Sequence, residues 1–214
     1  MRQIKELFLQ LKLTSFSEGL DPLLEKYPQD REAILETMKT LCEAELSTRR
    51  EKSVAYRIDQ ARFGQIKTVE TFDFEHNPST LKLKGRYLKF LEADFLSQGL
   101  SALFVGSSGL GKTHLAKALG YRLCQKNVRI RFTNLSAMGL DLTTADSTGR
   151  LKNVMLQYSQ PALLILDEIG YVGRLRELEI NLVFQIISER YDGSRSTVIT
   201  TNKPFGEWNQ IFHN

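Results

Sequence analysis

The sequence predicts an α/β fold: a parallel sheet flanked by helices, preceded by a small all-α N-terminal domain. Three observations carry this. Residues 1 to about 67 show only helical periodicity, with no strand candidate and no internal repeat. From Leu100 onward, short apolar runs alternate with helical repeats. Between the first such run and its helix lies Gly106-Ser107-Ser108-Gly109-Leu110-Gly111-Lys112-Thr113, a glycine-rich turn of the kind that joins a strand to a helix N-terminus.

Each element follows from its pattern. Ile4, Leu7, Phe8 and Leu11 form one helical apolar face, and Ile34, Leu35, Met38, Leu41 and Cys42 form another. Asp21-Pro22 reads as an N-cap followed by a first-turn proline. The stretch TFDFEHNPSTLKLKG (71–85) reads as a linker entering a further helix, which places the domain boundary at 67/68 and the second domain over 68–214. LSALFV (100–105) is a short apolar strand run, and the helix after it carries Leu115, Ala118, Leu119 and Leu123 on one face. VRIRF (128–132) alternates like a strand, ALLILD (162–167) is continuously apolar, and STVITTN (196–202) is a further strand. Leu178, Leu182 and Ile186 line the helix before it. Strands alternating with helices in this way form parallel sheets covered on both faces.

The composition is that of a globular chain: 214 residues, 42% apolar and 25% charged. No apolar run approaches a membrane span, and Lys5, Glu6 and Lys12 interrupt the N-terminal stretch, so it is not a signal peptide. Cys42 and Cys124 lack metal-ligand spacing and read as packing residues of a reduced, cytoplasmic protein. A net charge of +4 permits contact with nucleic acid without establishing it.

The residues from Gly106 to Thr113 match G-x-x-x-x-G-K-[ST], a phosphate-binding loop. Backbone amides can wrap a triphosphate only where glycine lets the chain turn tightly, and the helix that begins near Lys112 adds its positive dipole end. Lys112 suits the β- and γ-phosphates, and the Thr113 hydroxyl suits Mg²⁺. The next residue, His114, completes the candidate ATP-binding set. Asp167 and Glu168 close the ALLILD strand, where carboxylates face the ligand crevice of α/β sheets. Asp167 suits an indirect hold on the metal, and Glu168 suits orienting or deprotonating a water. Asn202, at the end of the last strand, could position the same water, or simply initiate the turn before Lys203-Pro204.

Together these pieces resemble the AAA+ ATPases, with Asn202 as a first-sensor residue. FDF (72–74), GKTHLA (111–116), RIRFT (129–133), GRL (149–151), LLILDEIGY (163–171), FQIISERYDGSRSTVITTN (184–202) and PFGEW (204–208) resemble the IstB family in particular. Those are helper ATPases encoded beside the transposase of one class of bacterial insertion sequence, and the helicase loader DnaC is a close relative. The resemblance implies an ATPase using Mg²⁺, with Gly106 to Thr113 on ATP, Thr113 and Asp167 on the metal, Glu168 on water and Asn202 sensing the γ-phosphate. It implies an ATP-dependent homo-oligomer on double-stranded DNA, indifferent to sequence, that presents the target to a transposase. FDF lies where this family frames the adenine, although Phe72 and Phe74 would equally staple the linker to the core.

RREKSVAYRIDQARFGQIK (49–67) is a candidate partner surface. In one helix, Arg50 and Arg57 share a side with Leu46, Val54 and Ala61, which suits either phosphate contacts from Arg49, Arg50 and Arg57 or arginines covering apolar surface. AAA+ sites are usually completed by an arginine from a neighbouring subunit, in a D-R-L-type segment expected beyond PFGEW. The chain reads WNQIFHN there and stops, so a truncated C-terminus and weak turnover are expected; Arg174, Arg190 and Arg195 are candidate substitutes, although each reads better as a surface or structural residue. Two other functions compete: a DnaC-like loader of a replicative helicase, and a small-molecule P-loop kinase. The Asp-Glu pair and the downstream sensor strand speak against the kinase.

Overall fold

The computed structural model of the protein describes residues 1–92, 94–169 and 176–208. The chain divides into two compact units, Met1–Ala55 and Tyr56–Asn214. In the first, α1 (Arg2–Leu11) and α2 (Thr14–Lys26) precede a 3-10 turn at Pro28–Asp30, and α3 (Arg31–Ala61) follows. α1 stops at Lys12, whose left-handed φ of 59° turns the chain so that the Lys12 and Leu13 amides bond the Leu9 and Phe8 carbonyls. Ile4, Phe8 and Leu11 are buried against Leu20, Leu24 and Cys42.

Two expectations fail in this unit. Asp21-Pro22 does not begin a helix: Pro22 lies inside α2, and Asp21 accepts a 2.7 Å hydrogen bond from Lys5 Nζ. The proline costs α2 one backbone bond, offset by the burial of Leu20 and Leu24 on either side of it. Leu41 is 65% exposed, because Cys42 takes the inward position and the preceding residue is turned about 100° away from it.

The second unit begins inside α3, ahead of position 67. Ile58, Ala61 and Phe63 pack into the core that also holds Leu119 and Ile165, which joins the last turns of α3 to the sheet. α4 (Pro78–Glu92) starts on its proline, and the Asn77 Oδ1 accepts from the Ser79 amide at 2.8 Å. Four strands follow: β1 (Ala102–Val105), β2 (Ile130–Asn134), β3 (Leu163–Asp167) and β4 (Ser196–Thr201). α5 (Lys112–Gln125) links β1 to β2; α6 (Leu135–Ser147) and α7 (Leu151–Ser159) link β2 to β3; α8 (Glu177–Asp192) precedes β4.

All pairings are parallel, in the order β1-β4-β3-β2. β3 is buried along its whole length, as an apolar run without alternation requires. Leu164 and Leu166 join the core with Met138 and Leu142 of α6, Tyr158 of α7 and Ile186 of α8. Leu163 and Ile165 join the opposite core with Ala116, Leu119 and Leu123 of α5. Leu178 is 49% exposed, and Ile180 and Val183 take inward positions beside Leu182 and Ile186.

Arg190 of α8 is fully buried. Its Nε donates to the Thr197 hydroxyl at 3.1 Å, and its Nη1 donates to the carbonyls of Tyr158, Ser159 and Pro161 at 2.9, 3.2 and 2.8 Å. Its Nη2 donates to the carbonyls of Ala162 and Ser196. Carbonyls at the end of a helix have no donors of their own, so one guanidinium closes α7 and ties it to the starts of β3 and β4. Burial, helped by the charge of Arg195, lowers its pKa to about 10, and it stays charged at neutral pH.

This corrects the expectation that Arg190 could complete a neighbour's site, since its donors are engaged inside its own fold. Arg195, whose Nη2 reaches Gln160 Oε1 at 3.4 Å, immediately precedes β4 and so lies at the opposite edge of the sheet from the strands' carboxyl ends. Arg174 lies outside the described residues, as do Gly170 and Tyr171 of LLILDEIGY and residues 209–214.

Replacing Arg190 with Met should lower the unfolding free energy by at least about 3 kcal/mol, because buried acceptors left without donors cost roughly 1–3 kcal/mol each. A denaturant titration measures it, and an unchanged midpoint would show that the guanidinium does not clamp these elements.

Candidate functional site

Parallel strands all point one way, so the carboxyl ends of β1, β4 and β3 lie side by side. β1 runs out at Val105, paired with Thr201, and the Gly106 amide continues the ladder to the Thr201 carbonyl at 3.2 Å. The loop 106–111 then turns into α5. Gly109 and Gly111 have φ of 81° and 78°, the left-handed region that side chains disfavour. Gly111 has a second constraint: a Cβ there would lie 2.3 Å from Phe72 Cε2.

The first intrahelical bond of α5 runs from the Leu115 amide to the Gly111 carbonyl at 2.9 Å. The amides of Lys112, Thr113 and His114 therefore precede the ladder and face outward as donors. Lys112 Nζ donates to the Ser107 carbonyl at 2.9 Å, so the lysine folds over its own loop.

Asp167 is 8% exposed. Its Oδ1 accepts from the Thr113 hydroxyl at 2.9 Å and from the Thr200 hydroxyl at 2.6 Å. The Thr200 hydroxyl in turn accepts from the Glu168 amide at 2.9 Å, and the Ile169 amide donates to the Thr200 carbonyl at 3.0 Å. Glu168 has a φ of 59°, so it leaves the strand path, and its exposed carboxylate has no hydrogen bond or ion pair among the described residues. Asn202 follows β4, and its buried Oδ1 has no hydrogen-bond partner among the described residues. Buried amide oxygens are rarely left so.

The loop, Asp167, Glu168 and Asn202 thus gather at adjacent strand ends. Hydroxyl and carboxylate oxygens suit a hard divalent cation such as Mg²⁺, and Thr113 with Asp167 supplies such a pair. Free amides, a lysine and paired left-handed glycines suit a polyphosphate. A cavity of about 440 Å³ opens beside the loop, lined by Leu110, Lys112 and Leu115, by Leu103 and Val105 of β1, and by Arg86 of α4; that volume is in the range of small-molecule pockets.

The His114 side chain points elsewhere. Its Nε2 lies 2.8 Å from the Thr68 carbonyl and 3.3 Å from the Thr71 hydroxyl, and its ring packs edge-on against Phe72. Phe72 packs on Phe74, which is buried with Tyr87 and Leu115. The FDF segment is thereby stapled to the loop's helix. Of the basic candidates, Arg49 donates to Glu45 at 2.7 Å and to the Leu11 carbonyl at 3.1 Å, and Arg57 donates to the Asn127 carbonyl at 3.0 Å. Arg50 is exposed and makes no such contact among the described residues.

Thr200 and Lys117 escaped the sequence reading. Thr200 is fully buried, and the signal for it was the adjacent hydroxyls in STVITTN, since a buried hydroxyl requires a partner. Lys117 sits one turn beyond Thr113, its Nζ 4.7 Å from the Phe132 ring centroid. Burial lowers its pKa, and the charge of Asp167 opposes that shift.

A family profile described as IstB-like ATP binding protein matches residues 6–214. A protein described as ATP-binding from insertion sequence IS21 of Pseudomonas aeruginosa is 32% identical over 212 residues, 99% of this chain and 78% of the relative. A counterpart from insertion sequence IS232 of Bacillus thuringiensis is 33% identical over 202 residues, 94% of this chain and 79% of the relative. Among solved structures, the DnaC helicase loader superposes with a TM-score of 0.60 at 25% identity, over 68% of this chain and 86% of that one. AMPPCP-bound DnaA from Aquifex aeolicus superposes with a TM-score of 0.54 at 20% identity, over 64% and 42%, and shares the fold. The chain has the AAA+ fold of DnaC and DnaA and belongs to the IstB-like ATP-binding proteins of insertion sequences.

Proposed function

We propose that this ATP-binding protein hydrolyses ATP at the ends of β1, β3 and β4, assembles with copies of itself on double-stranded DNA, and prepares that DNA for a partner transposase. The observation that carries the catalytic reading is the convergence of the Thr113 and Thr200 hydroxyls on Asp167 Oδ1, at 2.9 and 2.6 Å. It joins the phosphate loop to the strand ends that carry the two acidic residues.

The residues divide the work. The amides from Gly109 to His114 receive the β- and γ-phosphates, and Lys112 exchanges the Ser107 carbonyl for phosphate oxygens. Bound Mg²⁺ would neutralise phosphate charge between Thr113 and Asp167. Glu168 takes the proton from a water as the water oxygen attacks the γ-phosphorus and the bond to the bridging oxygen breaks, releasing ADP. The Asn202 amide holds that water and the γ-phosphate in line. A positive charge from a neighbouring copy would complete the site, and neither Arg190 nor Arg195 is placed to supply it to its own.

The second reading, a replicative helicase loader, is supported by the likeness to DnaC. The transposition reading is preferred because the insertion-sequence relatives align along nearly the whole chain, the N-terminal helical unit included. Pulldowns against an insertion-sequence transposase and against a replicative helicase separate the two.

Lys112→Ala should abolish ATP binding in calorimetry while its thermal melt stays near that of the parent; unchanged affinity in the folded variant sinks the phosphate-loop assignment. Glu168→Gln should still bind ATP but turn over about 10²–10⁴-fold more slowly, measured as phosphate release. Thr200→Val keeps the shape and removes the hydroxyl. It should cost about 1–3 kcal/mol of stability and raise the Mg²⁺ concentration needed for tight ATP binding. Chemical denaturation and a Mg²⁺ titration check these, and an unaltered Mg²⁺ requirement would detach Thr200 from the metal site.

A further inference from the structure

The cationic surplus of the chain is unevenly distributed. Residues 1–55 carry nine Lys and Arg against ten Asp and Glu, whereas residues 56–214 carry 20 against 15. Part of that surplus is concentrated on α4. From His76 to Leu91 there is no acidic residue, while Lys82, Lys84, Arg86 and Lys89 all fall in this interval. Lys84 lies over the Phe74 ring at 5.8 Å. Lys82, Arg86 and Lys89 recur at i, i+4 and i+7, so they share one helix face. All three are exposed and have no hydrogen bond or ion pair among the described residues. The face rises about 1.5 Å per residue, spreading the three charges over roughly 10 Å, a span that several phosphates of a duplex backbone occupy.

We propose that this face of α4 is a contact surface for the phosphate backbone of double-stranded DNA. The proposal rests on the reading above that DNA is a partner, and names residues for it outside the basic segment at 49–67. The helix is firmly seated. The Tyr87 hydroxyl donates to the Leu115 carbonyl of α5 at 2.8 Å, and the buried Thr80 hydroxyl donates to the Phe74 carbonyl at 2.9 Å. Phe74 packs on Phe72, and Phe72 lies against Gly111 of the phosphate loop. The loop and the helix that carries the cations are thereby linked by direct packing. Backbone contacts carry no base information, so binding is indifferent to sequence.

The test is fluorescence anisotropy of a labelled mixed-sequence duplex across a salt series, with ATP and Mg²⁺, on the full chain and on Lys82→Gln/Lys89→Gln. Arg86 is left intact because it also lines the cavity beside Lys112. The double variant should keep its thermal melt and its ATP affinity. The slope of log affinity against log salt should shallow by about 0.9 for each phosphate contact removed. A parental chain that binds no duplex at any salt overturns the DNA reading and this proposal with it. A parental chain that binds, with an unchanged slope in Lys82→Gln/Lys89→Gln, overturns only the assignment to α4. Loss of binding to phosphatidylserine vesicles in that variant, with DNA binding intact, would assign the face to a membrane surface and overturn the proposal.

Discussion

A buried carboxylate must find donors or lose its charge, and Asp167 finds two hydroxyls, from Thr113 and Thr200. These come from α5 and from β4, so one oxygen fixes three segments relative to each other. The β3–β4 register has to be right for Thr200 to arrive, and the glycine loop has to turn correctly for Thr113 to arrive. The surrounding packing serves the same end. β3 is buried on both faces, with α5 on one side and α6, α7 and α8 on the other. At the far edge of the sheet, Arg190 holds the starts of β3 and β4 to the end of α7. The sheet is thus tied at both ends by charged groups satisfied with neutral partners.

The loop is pressed from outside as well. Phe72 occupies the space a side chain at position 111 would need, and His114 holds the strand of linker that carries Phe72. The glycine therefore answers to two demands, a left-handed backbone and a neighbour's ring. The second was invisible in the sequence, where Gly111 and Phe72 are far apart. The same contact explains why His114, adjacent to the glycine loop in sequence, turns its ring to the linker and offers the loop only its amide.

The strands and the glycine turn of the candidate site were legible because they depend on local signals. ALLILD is too apolar to be anything but covered, and the spacing from Gly106 to Thr113 is set by the geometry of the loop itself. What was illegible depends on distant partners. Pro22 looked like a helix start because its own chemistry says so, and only the burial of Leu20 and Leu24 keeps α2 running through it. Arg190 stood as a candidate substitute arginine because its acceptors are backbone carbonyls, which no residue type announces. Leu41 and Leu178 looked buried because periodicity identifies a face only to within a residue or two, and Cys42 and Ile180 took the inward positions. Charge showed the opposite weakness: the segment at 49–67 stood out by composition, yet two of its arginines are already engaged.

Glu168 has a consequence of its own. A non-glycine residue at a φ of 59° carries a backbone penalty of order 1–3 kcal/mol, sustained here by the amide's bond to Thr200 and by the Ile169 amide on the Thr200 carbonyl. Glycine would sit at this position without strain. Stability alone would therefore favour glycine at residue 168, so the chain carries the carboxylate there at an energetic cost. One codon change at this position would give a sturdier chain that has lost the exposed acid.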